Sequence, residues 1–211
     1  MFTIFETLFL LAIDDQAGDI LESAKKDLEP ALASAVLAEL VLLGRVQVHG
    51  DFLTVVDLTS TDNPVLDHAM RAIRVIERSR KVKYWINTLV YEKLRARVGL
   101  YLVKRGLLEW KEKHLVQVLP FEDETGDKTL VKYFLKNHLR SIVLAGLPPD
   151  QTSLIQLLLL QNSNLLPLVF TRGERKVAEE KILQLNEPNQ YAPFLYDAIC
   201  PVIAAANRSL N

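Results

Sequence analysis

The sequence predicts a mainly α-helical protein, a single globular helical-bundle domain with a wing-like hairpin and a second protruding β-hairpin. Apolar side chains recur at helical spacing over most of the chain, and β-rich patterns are confined to two short segments. Only 8 Gly and 9 Pro occur in 211 residues, and 24% of the residues are charged, which excludes the composition of a disordered chain. We therefore expect one domain over residues 1–211.

The first predicted helix carries an aromatic stripe that we expect to lie in the core. Phe2, Phe5, Phe9 and Ile13 recur at helical spacing, and residues 14–18 end the helix.

A second helix is expected to lead directly into the wing-like hairpin. Pro30 occupies a position that a first helical turn tolerates, and Gly44 follows the last apolar residue, where a helix commonly stops. Residues 45–57 contain two β-rich runs around the turn residues 49–51, which is the composition of a hairpin.

Three helices are predicted in the middle of the chain. Residues 61–64 form a capping signal, and the helical period that follows continues to Ser79. Two further helices are expected at about residues 82–89 and 90–105.

The second hairpin is predicted at residues 107–118, from Leu107 to Val118, where the apolar pattern becomes extended. Residues 121–127 form an acidic polar segment, predicted to be a loop. A long helix is expected at residues 128–144, and shorter helices complete a total of about eight.

Charge is distributed unevenly along the chain. Residues 71–113 contain thirteen Lys and Arg against four Asp and Glu, whereas residues 1–70 contain three against twelve. The basic residues of the middle segment are expected to gather on one surface, since the apolar faces of the same helices point inward. Such a surface would bind anionic headgroups or acidic protein tails. The predicted lipid-binding residues are Arg80, Lys81, Lys83, Lys93, Arg95 and Arg97.

Residue patterns typical of catalysis or metal binding are absent from the sequence. The four histidines occur singly, and neither a nucleophile motif nor a glycine-rich phosphate loop is present. Cys200 is the only cysteine, which excludes an internal disulfide or a cysteine-based zinc cluster. We therefore expect a non-enzymatic protein without metal or cofactor, in the cytoplasm and peripherally associated with a membrane.

Two alternative functions remain open. In the first, the chain is a soluble protein-interaction module. The hairpin from Leu107 to Val118 then pairs with another subunit, including a second copy of the chain in a homo-oligomer. In the second, the helix and wing bind nucleic acid. Nucleic acid is the less favoured partner, because the helix before the wing, Ala31 to Leu43, contains no Lys or Arg to contact bases.

Several segments resemble the Golgi phosphoprotein 3 family of lipid-binding coat adaptors, in the order and spacing of that family. They are Leu8-Phe-Leu-Leu-Ala-Ile-Asp-Asp, Leu37-Ala-Glu-Leu-Val-Leu-Leu-Gly-Arg-Val46, Leu102-Val-Lys-Arg-Gly-Leu-Leu108, Leu130-Val-Lys132 and the region from Leu154 to Phe170. The lack of a polar leader before the first helix resembles a minimal, bacterial member more than a eukaryotic one.

This resemblance implies a helical core with a protruding β-hairpin and peripheral binding to phosphatidylinositol 4-phosphate. In a eukaryote it also implies the cytosolic face of the Golgi and binding to the cytosolic tails of glycosyltransferases. Some positions of the family's phosphoinositide pocket differ here. Ala24 and Ala33 stand where the family has a tryptophan and an arginine, and Glu92 replaces a further arginine, whereas Arg95 and Arg97 match basic positions.

Overall fold

The structure is a computed structural model that describes residues 2–14, 17–76, 78–111, 114–118, 121–122, 128–129, 131–186 and 193–208. Helices dominate these residues, as predicted. They are α1 (Ile4–Ala12), α2 (Leu28–Leu42), α3 (Pro64–Val75), α4 (Val82–Tyr91), α5 (Leu94–Lys104), α6 (Val131–Ala145), α7 (Gln151–Asn162), α8 (Arg175–Leu185) and α9 (Pro193–Arg208). The strands are β1 (Val46–His49), β2 (Phe52–Val55), β3 (Arg80–Lys81), β4 (Leu108–Lys111), β5 (His114–Gln117), β6 (Phe121–Glu122) and β7 (Lys128–Thr129).

Helix α2 forms the centre of the core. Every residue from Ala31 to Ala38 is buried, and α2 contacts α1, α3, α4, α5, α7 and α9. A helix that is apolar on all sides has to be enclosed by others, and its small alanine side chains let them approach closely. The surface of the molecule is therefore made by the helices and hairpins around α2.

Helix α1 packs against α2 and is joined to it by a polar contact. Thr3 and Glu6 form a capping box at the start of α1. The backbone N–H of Ile4 donates to the Glu39 carboxylate of α2 at 2.9 Å. Burial, opposed by this hydrogen bond, raises the pKa of Glu39. The predicted aromatic stripe is confirmed, since Phe5 and Phe9 are almost fully buried.

The wing-like hairpin is confirmed and contains one strand more than predicted. Strands β1 and β2 are antiparallel, and β3 adds to β2 with Phe52 opposite Lys81 and Leu53 opposite Arg80. The prediction of a helix up to Ser79 was wrong, because α3 ends at Val75. The chain has to leave the helix there so that β3 can reach β2.

Helices α4 and α5 are separated by a sharp bend at Lys93, whose φ is +58°. The sequence placed the boundary between the two helices a few residues earlier. A positive φ is uncommon for a residue with a side chain. The bend is therefore hard to predict from the sequence, because a lysine stands there instead of a glycine or proline.

The second hairpin is confirmed as β4 and β5, and one of its sides lies against the loop after α1. The N–H of Leu115 donates to the carbonyl oxygen of Gly18 at 2.9 Å. A Cβ on Gly18 would lie 2.5 Å from the Cβ of His114, so the hairpin approaches this loop too closely for any other residue.

The segment between β5 and α6 differs from its prediction. Strand β6 replaces the start of the predicted loop and pairs with β7, and residues 123–127 lie outside the described residues. Helix α6 begins at Val131 rather than at Lys128, because Lys128 and Thr129 belong to β7. None of the helices in the described ranges is long and apolar enough to cross a membrane.

Candidate functional site

The six predicted lipid-binding residues fall into two clusters. We call Arg80, Lys81 and Lys83 the α4 cluster, because they surround the first residues of α4. All three are exposed, and the Arg80 guanidinium carbon lies 5.4 Å from the centre of the Tyr84 ring. This distance allows a cation–π contact that orients the arginine.

The other three residues, Lys93, Arg95 and Arg97, surround the first residues of α5, and we call them the α5 cluster. All three are exposed. The Arg95 Nε atom lies 3.3 Å from the Glu29 Oε1 atom of α2, and the Arg97 Nε–H donates to the backbone oxygen of Glu92 at 3.3 Å. Part of this cluster is therefore already paired within the protein.

Both clusters lie at the electropositive end of a helix. The unpaired N–H groups of a first turn carry a partial positive charge, which acidic residues ordinarily balance. The first turns of α4 and α5 contain no acidic residue, and no side chain caps either helix. Basic residues at these positions add charge of the same sign, so an external anion would be stabilised by both the helix and the side chains.

The two clusters are separated by the length of α4. Its 10 residues span about 15 Å at the usual rise of a helix. The sequence predicts that all six residues share one surface, and the structure places three of them at each end of α4.

Two carboxylates lie beside the α5 cluster, those of Glu29 and Glu92. Glu92 immediately precedes Lys93, and its Oε2 atom lies 2.6 Å from the His68 Nε2 atom. In the part of the chain that the structure describes, Arg80 and Lys81 form no ion pair. Within the described residues, Glu29 therefore compensates Arg95, whereas Arg80 and Lys81 are not compensated by an ion pair.

Two positions that depart from the family's phosphoinositide pocket are enclosed by the fold. Ala24 and Ala33 have no exposed area, so neither presents a side chain to a ligand at the surface. Arg95 remains beside a cavity of about 230 Å³ that Asp19 and Trp110 also line.

Sequence reasoning did not select Arg74 and Arg78, although both are exposed and line a second cavity beside β2. The sequence pattern placed them on one long helix. The structure ends that helix between them, and only this break brings both to the same cavity.

The described residues contain no cluster of His, Cys, Asp or Glu that could hold a metal ion. The His138 Nε2 atom lies 3.0 Å from the Ser153 Oγ atom, which is within reach for a base and a nucleophile. Both line a cavity of about 480 Å³ with Arg105. Within the described ranges no carboxylate hydrogen-bonds the His138 ring, so this pair lacks the third member of a triad.

The structure does not favour the nucleic-acid alternative. That alternative requires the helix before the wing to contact bases in the major groove. Here that helix is α2, which is buried among six other helices. It cannot contact a base without unfolding the core.

The fold and the site define a mainly α-helical domain that carries β-hairpins and presents two cationic helix ends. The chain belongs to the Golgi phosphoprotein 3 family, since the family's sequence model, described as Golgi phosphoprotein 3 (GPP34), matches residues 4–200. The match covers nearly the whole chain and agrees with the resemblance of its motifs. No curated protein matches the sequence.

Proposed function

We propose that this protein is a peripheral membrane adaptor that attaches to anionic lipid through the α4 and α5 clusters. The observation that carries the proposal is the placement of all six basic residues at the ends of two helices that have no acidic residue in their first turns. Membership in the Golgi phosphoprotein 3 family supports the same function. In a eukaryotic cell the membrane would be the cytosolic face of the Golgi.

Reversible attachment would draw on the charges of both clusters together. A Lys or Arg near an anionic bilayer contributes about 1 kcal/mol to binding, so the three residues of the α4 cluster together contribute about 3 kcal/mol. Arg95 contributes less, because its attraction to lipid is offset by Glu29 at 3.3 Å. Arg80 and Lys81, which form no ion pair within the described residues, are therefore expected to contribute more than Arg95.

Phosphatidylinositol 4-phosphate is the lipid that the family resemblance suggests, and Arg95 and Arg97 are the residues that would meet its phosphate. The negative charge of Glu92 lies next to them. We therefore propose that net charge rather than headgroup shape governs binding. Vesicles with phosphatidylinositol 4-phosphate should bind no more tightly than phosphatidylserine vesicles of the same surface charge.

Cosedimentation with vesicles tests this function. Wild-type protein is expected to bind phosphatidylcholine vesicles that contain phosphatidylserine, and to be released as salt increases. The triple variant Arg80→Gln, Lys81→Gln, Lys83→Gln should bind about 100-fold more weakly, the equivalent of about 3 kcal/mol. The matched control replaces three exposed cations outside both clusters, with Lys104→Gln, Arg172→Gln and Lys176→Gln. Binding that ignores anionic lipid, or equal binding by both variants, contradicts the proposal.

A second candidate function is supported by the β4–β5 hairpin. Trp110 on β4 is 53% exposed, and exposed tryptophans are common where proteins contact each other. In this function the hairpin contacts a protein tail or a second copy of the chain. Light scattering would detect a dimer, and Trp110→Ala should dissociate it.

A further inference from the structure

A cavity of about 290 Å³ lies between the wing and the end of α3, away from the α5 cluster. Its inner wall is apolar and contains Leu53 of β2, Ile73 of α3 and the indole of Trp85 from α4. The volume is at the lower end of the range of about 300–1,000 Å³ that is usual for small-molecule sites. It therefore suits a headgroup or a short length of hydrocarbon.

The rim of this cavity combines positive charge with exposed apolar side chains. Arg74 and Arg78 line it and are exposed, and none of the described residues that line it is acidic. Val56 and Leu58, in the loop after β2, also line it and are 49% and 52% exposed. Cationic and apolar groups that face water side by side are complementary to an anionic amphiphile.

The cavity wall also contains a hydrogen-bond donor without an acceptor. Trp85 is only 1% exposed, and its Nε1–H finds no partner among the described residues. Buried donors are nearly always paired in native proteins, so this one needs an explanation. Trp85 lines the cavity, so a ligand that enters deeply enough to reach the indole nitrogen would supply the acceptor.

We propose that the cavity holds one anionic phospholipid drawn from the membrane, with its phosphate between Arg74 and Arg78 and the start of its acyl chain against the apolar wall. This inference deepens the proposed function and rests on it for the source of the lipid. Free phosphate is not the expected ligand, because it would leave the apolar wall and the half-exposed Val56 and Leu58 without a partner.

Tryptophan fluorescence can test occupancy, because the chain contains only 2 tryptophans. In a Trp110→Phe background, Trp85 is the sole emitter. The probe is a short-chain phosphatidylglycerol with brominated acyl chains, added as monomers, since bromine quenches an indole only on close contact. We expect saturable quenching by this lipid and none by its phosphatidylcholine counterpart or by inorganic phosphate.

Two variants and two matched controls define the site. Arg74→Gln with Arg78→Gln should weaken binding of the probe about 30-fold, as expected for two cations. Leu58→Asp should also weaken it, because it places a carboxylate at the mouth of the cavity. Arg172→Gln with Lys176→Gln, and Leu183→Asp at a 60% exposed position of α8, should leave binding unchanged.

The result separates this inference from the proposed function, because the monomeric probe does not require attachment to a bilayer. Quenching that is absent, unaffected by the arginine variant, or equal for both lipids overturns the inference, even if vesicles bind. Saturable quenching that both cavity variants weaken supports it, even if the α4 cluster proves unnecessary for vesicle binding.

Discussion

The Arg105 guanidinium donates a hydrogen bond to the carboxylate of Glu6, which is fully buried and lies 99 positions earlier in the chain. Glu6 also accepts from the backbone N–H of Thr3 at 2.8 Å. One carboxylate therefore both caps α1 and fixes the end of α5 against it.

Removal of Arg105 should destabilise the fold. Arg105→Met leaves the Glu6 charge buried without its partner. Such losses cost about 3–5 kcal/mol in fully buried pairs, and the cost here should be smaller because the Arg105 side chain is 41% exposed. The double variant Glu6→Gln, Arg105→Met should lose less stability than Arg105→Met alone, because no charge remains buried. Urea denaturation measures both values, and a double variant less stable than the single one would contradict this account.

Glu174 makes the fold sensitive to acid. Hydrogen bonds from the Arg140 guanidinium at 2.6 and 2.7 Å, and from Thr171, lower the pKa of Glu174 to about 2. Its ordinary value is 4.5, so the stabilisation is complete above that pH and is lost as the pH falls toward 2.

The matching variant is Glu174→Gln, which should lower the melting temperature at pH 7. The difference in melting temperature between wild type and Glu174→Gln should decrease as the pH falls from 4.5 to 2. The control Glu180→Gln, at an exposed position of α8, should melt at the same temperature as wild type. A difference in melting temperature that stays constant over this pH range would mean that the ion pair with Arg140 adds nothing to stability.

Arg80 and Lys81 should matter more for membrane binding than Arg95 and Arg97. Arg80→Gln with Lys81→Gln should weaken vesicle binding about 30-fold, at about 1 kcal/mol for each charge. Arg95→Gln with Arg97→Gln should have a smaller effect, because Glu29 already compensates Arg95. Equal effects in cosedimentation would show that this compensation is lost at the bilayer.

Glu92 should oppose binding of anionic lipid. Glu92→Gln removes a negative charge beside Lys93, and a change of about 1 kcal/mol corresponds to about fivefold tighter binding. The amide can still accept a hydrogen bond from His68, so the fold should be retained. Vesicle titration with Glu180→Gln as the control measures the effect, and unchanged affinity would place Glu92 outside the binding surface.

The contact between Gly18 and His114 should be intolerant of substitution. Gly18→Ala adds a Cβ 2.5 Å from the His114 Cβ, at a φ of +62°. Gly44→Ala is a matched control, with a φ of +66° and no atom within 4 Å. Gly44→Ala should cost only the strain of about 1–2 kcal/mol for a left-handed residue. Gly18→Ala should cost more, and equal losses in urea denaturation would show that the hairpin moves away freely.

Local signals in the sequence predicted most helices and both main hairpins. Pro64 begins α3, Gly44 follows α2, and Gly50 lies in the turn between β1 and β2. Strand β3 was missed because Arg80 and Lys81 have no apolar pattern and are extended only through pairing with β2. The bend at Lys93 was misplaced because a lysine rarely adopts a positive φ.

The site was predicted less completely than the fold. The sequence identified the basic residues, since charge is a local property. Their division into two clusters and the Glu29–Arg95 ion pair depend on how α2, α4 and α5 pack. The cavity beside Trp85 requires α3 to end at Val75, which the continuing helical pattern concealed.

The position of α2 has a consequence for the newly synthesised chain. Its enclosure is completed by α9, which packs against α2, α4 and α7 and is synthesised long after α2. Until α9 has left the ribosome, the strongly apolar α2 remains accessible to water, and such nascent chains are prone to aggregate. We expect chaperones to hold the ribosome-bound intermediate until α9 packs against α2.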